Sequence, residues 1–325
     1  MSVFILRRLI QSLVVVLAMS LIVFVGVHVV GDPVHILISD DMTQQEVERF
    51  VQRLGLDRPL HEQYLHFLGN ALQGDLGNSF VQAEPALKLI LQRMPATLEL
   101  ALVALLMSIL LGVPLGMYAG LRPESPVSRT IMAGSILGFS LPTFWVGLMM
   151  IMVFAVMLGW LPSTGRGDTV GLLGVQVSFL TGDGLRHLLL PALNLALFKI
   201  SLVTRLARAG TREAVLQDYV KFARAKGLRP ARVVLVHVMK NILIPVVTVL
   251  GLEFGGLIAF SVVTETVFAW PGMGKLLIDS IQLLDRPVVV AYLVITVVMF
   301  VVINLVVDVL YSVLDPRVRL KEAKG

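Results

Sequence analysis

Long blocks of apolar residues alternate with polar connections along the whole chain. The hydrocarbon core of a bilayer is about 30 Å thick, and a helix needs about 20 apolar residues to cross it. Six blocks reach that length and predict six transmembrane helices, at residues 9–30, 98–121, 130–158, 187–207, 242–264 and 288–311. The pattern predicts an all-α integral membrane protein, with a bend at Pro142 in the third span and at Pro191 in the fourth.

The composition supports a membrane protein and excludes several soluble classes. Apolar residues occupy 56% of the 325 positions. Charged residues occupy only 15%, against about 25% in a soluble domain. The sequence contains no cysteine, which excludes disulfides, thiolate catalysis and cysteine-ligated metal. The first apolar block is longer than the hydrophobic part of a signal peptide and lacks a small-residue cleavage site, so we expect an uncleaved span.

The distribution of Lys and Arg predicts the orientation in the membrane. If both termini are cytoplasmic, the cytoplasmic segments hold 17 basic residues, counting Arg205 at the end of the fourth span, and the opposite side holds nine. Basic connections stay on the cytoplasmic side, so we expect cytoplasmic N- and C-termini. The net charge of +5 lies between apolar blocks, where it orients the protein, and we expect no nucleic-acid binding.

The connections divide the chain into three predicted parts. They are an N-terminal transmembrane helix at 1–31, an extracytoplasmic cap at 32–96, and a five-helix core at 97–325 that contains a cytoplasmic loop at 208–241. We expect the cap to be partly helical, because Thr43 and Glu46 form a capping box before an apolar stripe that ends at Gly55.

The loop at 208–241 is too long and too regularly patterned for a simple link. Residues before Gly227 recur at helical spacing, Gly227 suits the left-handed conformation that ends a helix, and Pro230 suits the first turn of the next. We expect a helix, a sharp turn and a second helix that runs to Pro245. Binding of this element to anionic lipid is one open interpretation, through three basic residues: Lys221, Arg224 and Lys226.

A series of short motifs follows a specific order along nearly the whole chain. They are Gly31-Asp32-Pro33, Leu54-Gly55-Leu56-Asp57, Gly74-Asp75-Leu76-Gly77, Pro95-Ala96-Thr97-Leu98-Glu99-Leu100, the segment 218–228 with His237, Asn241 and Pro245, Glu265-Thr266-Val267-Phe268, Trp270-Pro271-Gly272-Met273-Gly274, Asp285-Arg286-Pro287-Val288, Asn304-Leu305-Val306-Val307-Asp308 and Asp315-Pro316-Arg317. Together these motifs resemble the ABC-importer permeases of the dipeptide/oligopeptide/nickel type.

The resemblance implies a type I ABC importer permease fold with six transmembrane helices and a coupling helix that contacts an ATPase subunit. The residues it assigns to coupling are Tyr219, Lys221, Phe222, Ala223, Arg224, Ala225, Lys226 and Gly227. The general importer motif has Glu at the position of Lys221, so the individual salt bridges to the ATPase differ here, although the coupling role is expected to remain.

The same resemblance implies the partners, the location and the substrates. The chain would form half of a translocation pathway in a bacterial cytoplasmic (inner) membrane, with a homologous second permease, two cytosolic ATPases and an extracytoplasmic solute-binding protein. Di- or oligopeptides are the expected substrates, and nickel chelates, glutathione and other small solutes are alternatives. A proton-coupled secondary carrier is the alternative from another class, but it needs a relay of intramembrane carboxylates and usually inverted repeats.

The chain lacks the motifs for catalysis or nucleotide binding. The Gly274-Lys275 pair is followed by Leu276, where a phosphate-binding loop needs Ser or Thr. No HExxH pair or nucleophile elbow occurs in the sequence. We therefore expect no enzyme activity, no metal and no cofactor in this chain, and we expect ATP-Mg to be bound by the partner ATPases.

Polar residues inside the predicted spans are the candidates for a substrate pathway, because charges at membrane depth face the protein interior or water. Lys199 either attracts a substrate carboxylate or extends toward the cytosolic face. Glu253 lies beside glycines, where it could face a partner subunit or a lumen. Pro142 frees a backbone carbonyl that could line the pathway, or only improves packing.

Four further residues are structural or gating candidates. Asp308, near the cytosolic end of the sixth span, is expected to anchor the basic loop. Glu265, Trp270 and Gly272 are expected in a short hairpin at the outer mouth, which would contact the substrate-delivering protein or plug the exit.

Overall fold

A computed structural model describes residues 2–30 and 58–314. The α-helices of the described residues are α1 Ser2–Val30, α2 Leu60–Leu72, α3 Ala86–Leu121, α4 Pro126–Ser140, α5 Thr143–Met150, α6 Gly182–Leu216, α7 Asp218–Ala225, α8 Pro230–Arg232, α9 Met239–Val267, α10 Met273–Gln282 and α11 Arg286–Leu314. Two π-helical segments continue helices α5 and α8, at Ile151–Met157 and Val233–Val238. A short antiparallel pair, β1 Val170–Leu172 and β2 Val175–Val177, lies between α5 and α6.

Five of the six predicted spans are single helical segments that are long and apolar enough to cross a membrane. They are Arg7–Gly26, Ala86–Leu121, Gly182–Leu216, Pro230–Val267 and Arg286–Val307. Several of these helices extend beyond the apolar blocks, because the polar residues that follow each block continue the helical hydrogen bonding.

The third predicted span changes direction at Pro142 as expected, but as a break between two helices rather than as a bend within one helix. It consists of two helical segments, Pro126–Ser140 and Thr143–Met157, with a bend of 110° between them. Leu141 precedes Pro142 and is extended (ψ 137°). Proline disfavours a helical conformation in the residue before it, so helix α4 ends here. Pro142 then begins α5 as its N-cap residue, so the break is a change of direction rather than a kink.

The described residues form two compact units. The first unit lies within Met1–Met94 and Leu276–Leu305, and the second within Pro95–Lys275 and Val306–Gly325. The predicted division into 1–31, 32–96 and 97–325 remains a prediction. The capping box at Thr43 and Glu46 and the apolar stripe after it lie outside the described residues.

In the first unit, polar and aromatic contacts join segments that are far apart in the sequence. The hydroxyl groups of Ser20 in α1 and Tyr64 in α2 are 2.9 Å apart, and Phe24 meets the Tyr64 ring edge-on. Asp285 accepts hydrogen bonds from the Ser79 hydroxyl and the Phe80 backbone N–H. These contacts fix α1 to α2 and the loop after Gly74 to the turn before α11.

In the second unit, glycines allow α3 to pack closely against α6. A Cβ at Gly116 would contact the Thr204 carbonyl oxygen and would lie 2.6 Å from the Ala207 Cβ. A Cβ at Gly120 would lie 2.6 Å from the Thr211 Cβ. Small residues spaced by four are a common way to bring two helices together inside a membrane. This packing holds α6, which carries several of the candidate functional residues.

Candidate functional site

The loop between α6 and α9 has the predicted helix, turn and helix. Gln217 is extended (ψ 147°) and separates α6 from α7. Gly227 has φ +72°, the left-handed conformation that favours glycine, and Pro230 occupies the first turn of the next helix. The second helix does not end at Pro245 as expected. It continues to Val267, because spans tolerate proline when the helix locally adjusts its hydrogen bonding.

Two residues of α7 are buried within the chain itself. Val220 is 0% exposed and Ala223 is 4% exposed. They pack into one apolar cluster with residues of α6, α9 and the π-helical segment, among them Ala207, Val233 and Ile242. Ala223 therefore fixes α7 to the spans, whereas the sequence motif placed it on the surface offered to the ATPase.

The other predicted coupling residues are exposed. They are Tyr219, Lys221, Phe222, Arg224, Ala225, Lys226 and Gly227. Leu216, at the end of α6, is also exposed, and the sequence analysis missed it because it lies outside the motif. The surface formed by these residues is called the α7 surface below.

Charge and aromatic contacts order part of the α7 surface. The ammonium group of Lys226 lies 4.6 Å from the centroid of the Phe222 ring. Lys221 forms an ion pair of 2.9 Å with Asp218, and this hydrogen bond and positive charge lower the pKa of the Asp218 carboxyl group. Exposed aromatic side chains are typical of protein interfaces. The alternative of anionic lipid uses the same cations and remains a prediction.

The candidate pathway residues Lys199 and Glu253 form an ion pair between α6 and α9. The Lys199 side chain is 6% exposed, so it does not extend along the helix toward the cytosolic face. The Glu253 side chain is 41% exposed. The spacing of apolar residues did not indicate this pairing, because the two residues lie 54 positions apart.

Glycines next to Glu253 let α9 pack closely against other elements. A Cβ at Gly251 would lie 2.9 Å from a methyl group of Val307 in α11. Gly255 is buried, whereas Gly256 has no atom of the described residues near its Cβ position except a Glu253 oxygen at 3.8 Å. Asp308 belongs to α11, in the part of that helix whose side chains lie outside the described residues.

The break at Pro142 places aromatic side chains beside α6. The Phe139 ring stacks on the Phe198 ring, with centroids 4.5 Å apart, and the Arg205 guanidinium lies 4.8 Å from the Phe139 centroid. Pro142 itself is exposed. Nothing in the sequence pattern marked Phe139 or Phe198 as site residues, whereas a charged residue in the fourth span was a signal for Arg205.

Glu265, Trp270 and Gly272 meet, as their common motif suggested. The Glu265 carboxylate accepts hydrogen bonds from Thr97 Oγ1 (2.7 Å), Ser261 Oγ (2.9 Å) and the Lys275 backbone N–H (3.0 Å). A Cβ at Gly272 would contact the same carboxylate. The Trp270 indole N–H donates to the Ala96 carbonyl oxygen at 2.9 Å.

This arrangement corrects the expected role of the segment. Glu265 to Gly274 is the end of α9, a turn and the beginning of α10 rather than a hairpin, and its location at the outer mouth stays a prediction. Glu265 and Trp270 are both 0% exposed. Their polar groups are satisfied by the beginning of the second span, by Ser261 and by the Lys275 backbone, so they hold the turn in place instead of facing a partner protein.

A second buried network at the same end of α3 was missed. Glu99 accepts hydrogen bonds from Arg166 Nε (3.1 Å), Ser178 Oγ (2.8 Å) and the backbone N–H groups of Ser178 (2.6 Å) and Phe179 (2.9 Å). The Arg166 guanidinium also lies 5.7 Å from the Trp270 ring centroid. The network fixes the loop that carries β1 and β2. An isolated acid at the start of an apolar block was the only sequence signal.

Comparison with known protein families identifies the chain. The family described as "Binding-protein-dependent transport system inner membrane component" matches residues 112–320. The family described as "Binding-prot-dependent transport system membrane comp, N-term" matches residues 1–101. The chain belongs to the binding-protein-dependent transport permeases. This membership confirms the resemblance seen in the motifs, and the permease is a multi-pass protein of the inner membrane.

Several curated relatives are similar to the permease over nearly its full length. The Di/tripeptide transport system permease protein DppB of Pseudomonas aeruginosa (strain UCBPP-PA14) is 41% identical, over 97% of this chain and 98% of that protein. The Oligopeptide transport system permease protein AppB of Bacillus subtilis (strain 168) is 39% identical, over 98% and 99%. The Glutathione transport system permease protein GsiC of Escherichia coli (strain K12) is 36% identical, over 98% and 99%. All three are named as transport permeases.

A solved structure supports the fold. The permease resembles a chain of the inward-facing MetNI methionine ABC transporter with a TM-score of 0.54 and 17% identity, over 70% of this chain and 96% of that chain. The predicted ABC importer permease fold is therefore confirmed.

Proposed function

We propose that this permease imports di- and oligopeptides as half of a translocation pathway, beside a homologous second permease. The observation that carries the proposal is the full-length similarity to the permeases named for di/tripeptide and oligopeptide transport, at 41% and 39% identity. Two cytosolic ATPases and an extracytoplasmic solute-binding protein complete the assembly, in keeping with a binding-protein-dependent family. Membrane lipid surrounds the spans.

The α7 surface is the proposed contact with an ATPase subunit. Its exposed residues Tyr219, Phe222 and Lys226 are available to a partner. Val220 and Ala223 attach α7 to the cluster that includes α6 and α9, so a displacement of α7 is passed to the spans as a rigid-body movement. ATP binding shifts the balance between two states of the permease only through its different affinity for them.

The chemistry of ATP hydrolysis is assigned to the partners. The sequence has Leu276 after Gly274-Lys275, so it lacks the Ser or Thr that a phosphate-binding loop uses to hold Mg²⁺. We accordingly propose that ATP-Mg is bound by the ATPases and that the permease contains no cofactor, metal site or nucleic-acid site of its own. A proton-coupled carrier would work alone, and membership of a binding-protein-dependent family does not fit that alternative.

Glutathione is the second candidate substrate. The relative named for glutathione transport is 36% identical over 98% of this chain, only a few per cent below the peptide permeases. Glutathione is itself a tripeptide with a free ammonium group and free carboxylates. A pathway that accepts small zwitterions would serve either substrate, and selection would then lie mainly with the solute-binding protein.

Purification of the full-length tagged chain from its native membrane tests the assembly. We expect a second permease and Walker-type ATPases to copurify, with ATPase activity that rises when peptide-loaded solute-binding protein is added. Uptake of labelled dipeptide, labelled tripeptide and labelled glutathione by the reconstituted complex identifies the substrate class. Transport by this chain alone, or uptake of none of the three, would overturn the proposed function.

A pair of alanine variants tests the α7 surface. Phe222→Ala removes an aromatic side chain that is 62% exposed. Leu173→Ala removes an apolar side chain of the β1–β2 turn that is 97% exposed. We expect Phe222→Ala to reduce stimulated ATPase activity and uptake about tenfold, as loss of an aromatic interface anchor often does. Leu173→Ala is the control and should leave coupling unchanged. Equal effects in both variants would remove the coupling role of Phe222.

A further inference from the structure

Arg205 lies near the end of the predicted fourth span, at residues 187–207. It follows Thr204, whose carbonyl oxygen contacts the Cβ position of Gly116 in α3. Helix α3 ends at Leu121, before the polar connection to α4. With a helical rise of 1.5 Å per residue, Gly116 lies about 8 Å before the end of α3, and Arg205 lies at about the level of Gly116. A guanidinium within a span is stabilised by a partner, a lumen, water or extension to the membrane surface.

None of the acidic side chains that the structure describes, which do not include that of Asp308, forms an ion pair with Arg205. Its guanidinium lies 4.8 Å from the centroid of the Phe139 ring. The other neighbour of Phe139 is the Phe198 ring, which stacks on it at 4.5 Å. Phe139 is 46% exposed, so this aromatic surface is open on one side.

Glu253 carries the opposite charge and is linked to Arg205 through a series of side-chain contacts. Its carboxylate pairs with Lys199, and the Lys199 ammonium lies 5.2 Å from the Phe198 ring centroid. The contacts from Glu253 through Lys199 and the two aromatic rings to Arg205 are therefore continuous. Lys199 is buried, whereas the Glu253 side chain is 41% exposed and adjoins the uncovered backbone of Gly256.

Charged side chains within spans usually face the protein interior or water, because contact with hydrocarbon costs several kilocalories per mole. The exposed side of this series of contacts thus presents the Glu253 carboxylate at one end and the Arg205 guanidinium at the other. The aromatic rings lie between them. That arrangement is complementary to a peptide with free termini, which carries an ammonium group, a carboxylate and a body that can be apolar.

We propose that Arg205 and Glu253 form a two-ended subsite in the translocation pathway, in which Arg205 binds the carboxylate of a peptide and Glu253 binds its ammonium group. The inference rests on the proposed peptide transport and adds the residues that recognise the termini. Lys199 neutralises Glu253 when the subsite is empty, and the ammonium group of the peptide competes with it. This competition keeps binding weak, which a pathway needs for release of its substrate.

Competition for photo-crosslinking to the assembled complex in nanodiscs, without the solute-binding protein, tests the subsite. The probe is a photoreactive dipeptide with free termini. The competitors are one dipeptide in three forms: unmodified, N-acetylated and C-amidated. Omitting the solute-binding protein removes its own preference for free termini. The variants are Arg205→Gln and Glu253→Gln, and the control is Arg212→Gln, which removes an exposed charge from the same helix.

The two variants should lose different preferences. The wild-type complex and Arg212→Gln should bind the unmodified form about tenfold more tightly than either blocked form, as expected for a charge-assisted hydrogen bond. Arg205→Gln should lose only the preference over the C-amidated form, and Glu253→Gln only the preference over the N-acetylated form.

Three outcomes would overturn the subsite. Unchanged preferences in both variants would show that the termini are bound elsewhere. Dissociation of the second permease in both variants would assign these charges to the subunit interface. Absence of saturable crosslinking to the wild-type complex would show that no such subsite exists. Uptake of labelled peptide by the wild-type complex with its solute-binding protein is scored separately, so failure of the subsite is distinguished from failure of the proposed function.

Discussion

Thr97 donates a hydrogen bond of 2.7 Å to the carboxylate of Glu265, 168 positions later in the chain. The same Thr97 oxygen accepts a hydrogen bond of 2.9 Å from the Met273 backbone N–H, so its own proton is directed to Glu265. One hydroxyl group therefore joins the beginning of the second span to the end of α9 and the beginning of α10. All three residues are buried, where an unmade hydrogen bond is costly.

Replacement of this hydroxyl tests its structural role. We expect Thr97→Val to destabilise the complex by about 1–3 kcal/mol, because the Glu265 carboxylate loses a donor and the Met273 N–H loses its acceptor. Thr266→Val is the matched control, since the Thr266 hydroxyl is exposed and bonds only to a carbonyl of its own helix. The measurement is the thermal unfolding midpoint in detergent. A similar midpoint for both variants would contradict the prediction.

The buried pair of Arg166 and Glu99 predicts a specific weakness in the loop before α6. We expect Arg166→Gln to destabilise this region by about 3 kcal/mol, because a buried carboxylate is left without its counter-charge. Proteolysis of the loop in reconstituted complexes should then become faster. Arg186→Gln provides the comparison, since Arg186 is exposed and makes only a long contact of 3.4 Å with the Trp160 carbonyl. Unchanged proteolysis of Arg166→Gln would show that the loop is held by its other contacts.

The close approach of α3 and α6 predicts different effects for two alanine substitutions in helices. Gly116→Ala places a methyl group against the backbone of Thr204 and the side chain of Ala207, at a cost of about 1–3 kcal/mol for overpacking. Gly134→Ala meets no atom within 4 Å and should be neutral or stabilising, because alanine is the better helix former. Yield and thermal unfolding of the purified chain measure the difference. Equal yields and unfolding midpoints for the two variants would mean that α3 and α6 can move apart without loss of stability.

The turn after α7 predicts a graded response at Gly227. Gly227→Ala requires a left-handed conformation of alanine, which costs about 1 kcal/mol, and should reduce coupled ATPase activity moderately. Gly227→Pro also removes the hydrogen bond of 2.9 Å from Gly227 N–H to the Arg224 carbonyl and should abolish transport while the chain still inserts. Gly182→Ala has open space and no positive φ, so it is the control. Normal uptake by Gly227→Pro would remove the assigned coupling role of this turn.

A larger side chain at Ala223 is expected to impair coupling for a different reason. Ala223 is 4% exposed and packs against the cluster that includes α6 and α9, so Ala223→Leu should displace α7 by overpacking. We expect uptake to be lost while the spans remain inserted. Ala225→Leu is the matched control, because Ala225 is exposed in the same helix. Reduced uptake by Ala225→Leu together with normal uptake by Ala223→Leu would show that α7 acts only through its exposed surface.

The order of elements could be predicted because its signals are local. A run of about 20 apolar residues predicts a span whatever surrounds it, and five such runs are long helices here. The α7 region was predicted for the same reason, since Gly227 and Pro230 restrict the backbone through their own chemistry. The break near Pro142 shows the limit of such reasoning, because proline predicts an interruption but not a bend of 110°.

The sequence by itself thus determined the class of protein, five of its six spans, and the helix, turn and helix of the loop at 208–241. Only the tertiary structure decided which polar residues meet: Lys199 with Glu253, Arg166 with Glu99 and Thr97 with Glu265. The physical reason is that a span apolar on all sides has no polar face to indicate its orientation, so pairing depends on how the helices pack. The same packing buried Ala223 and placed the Arg205 guanidinium against the Phe139 ring, and these two facts could not be read from spacing along the chain.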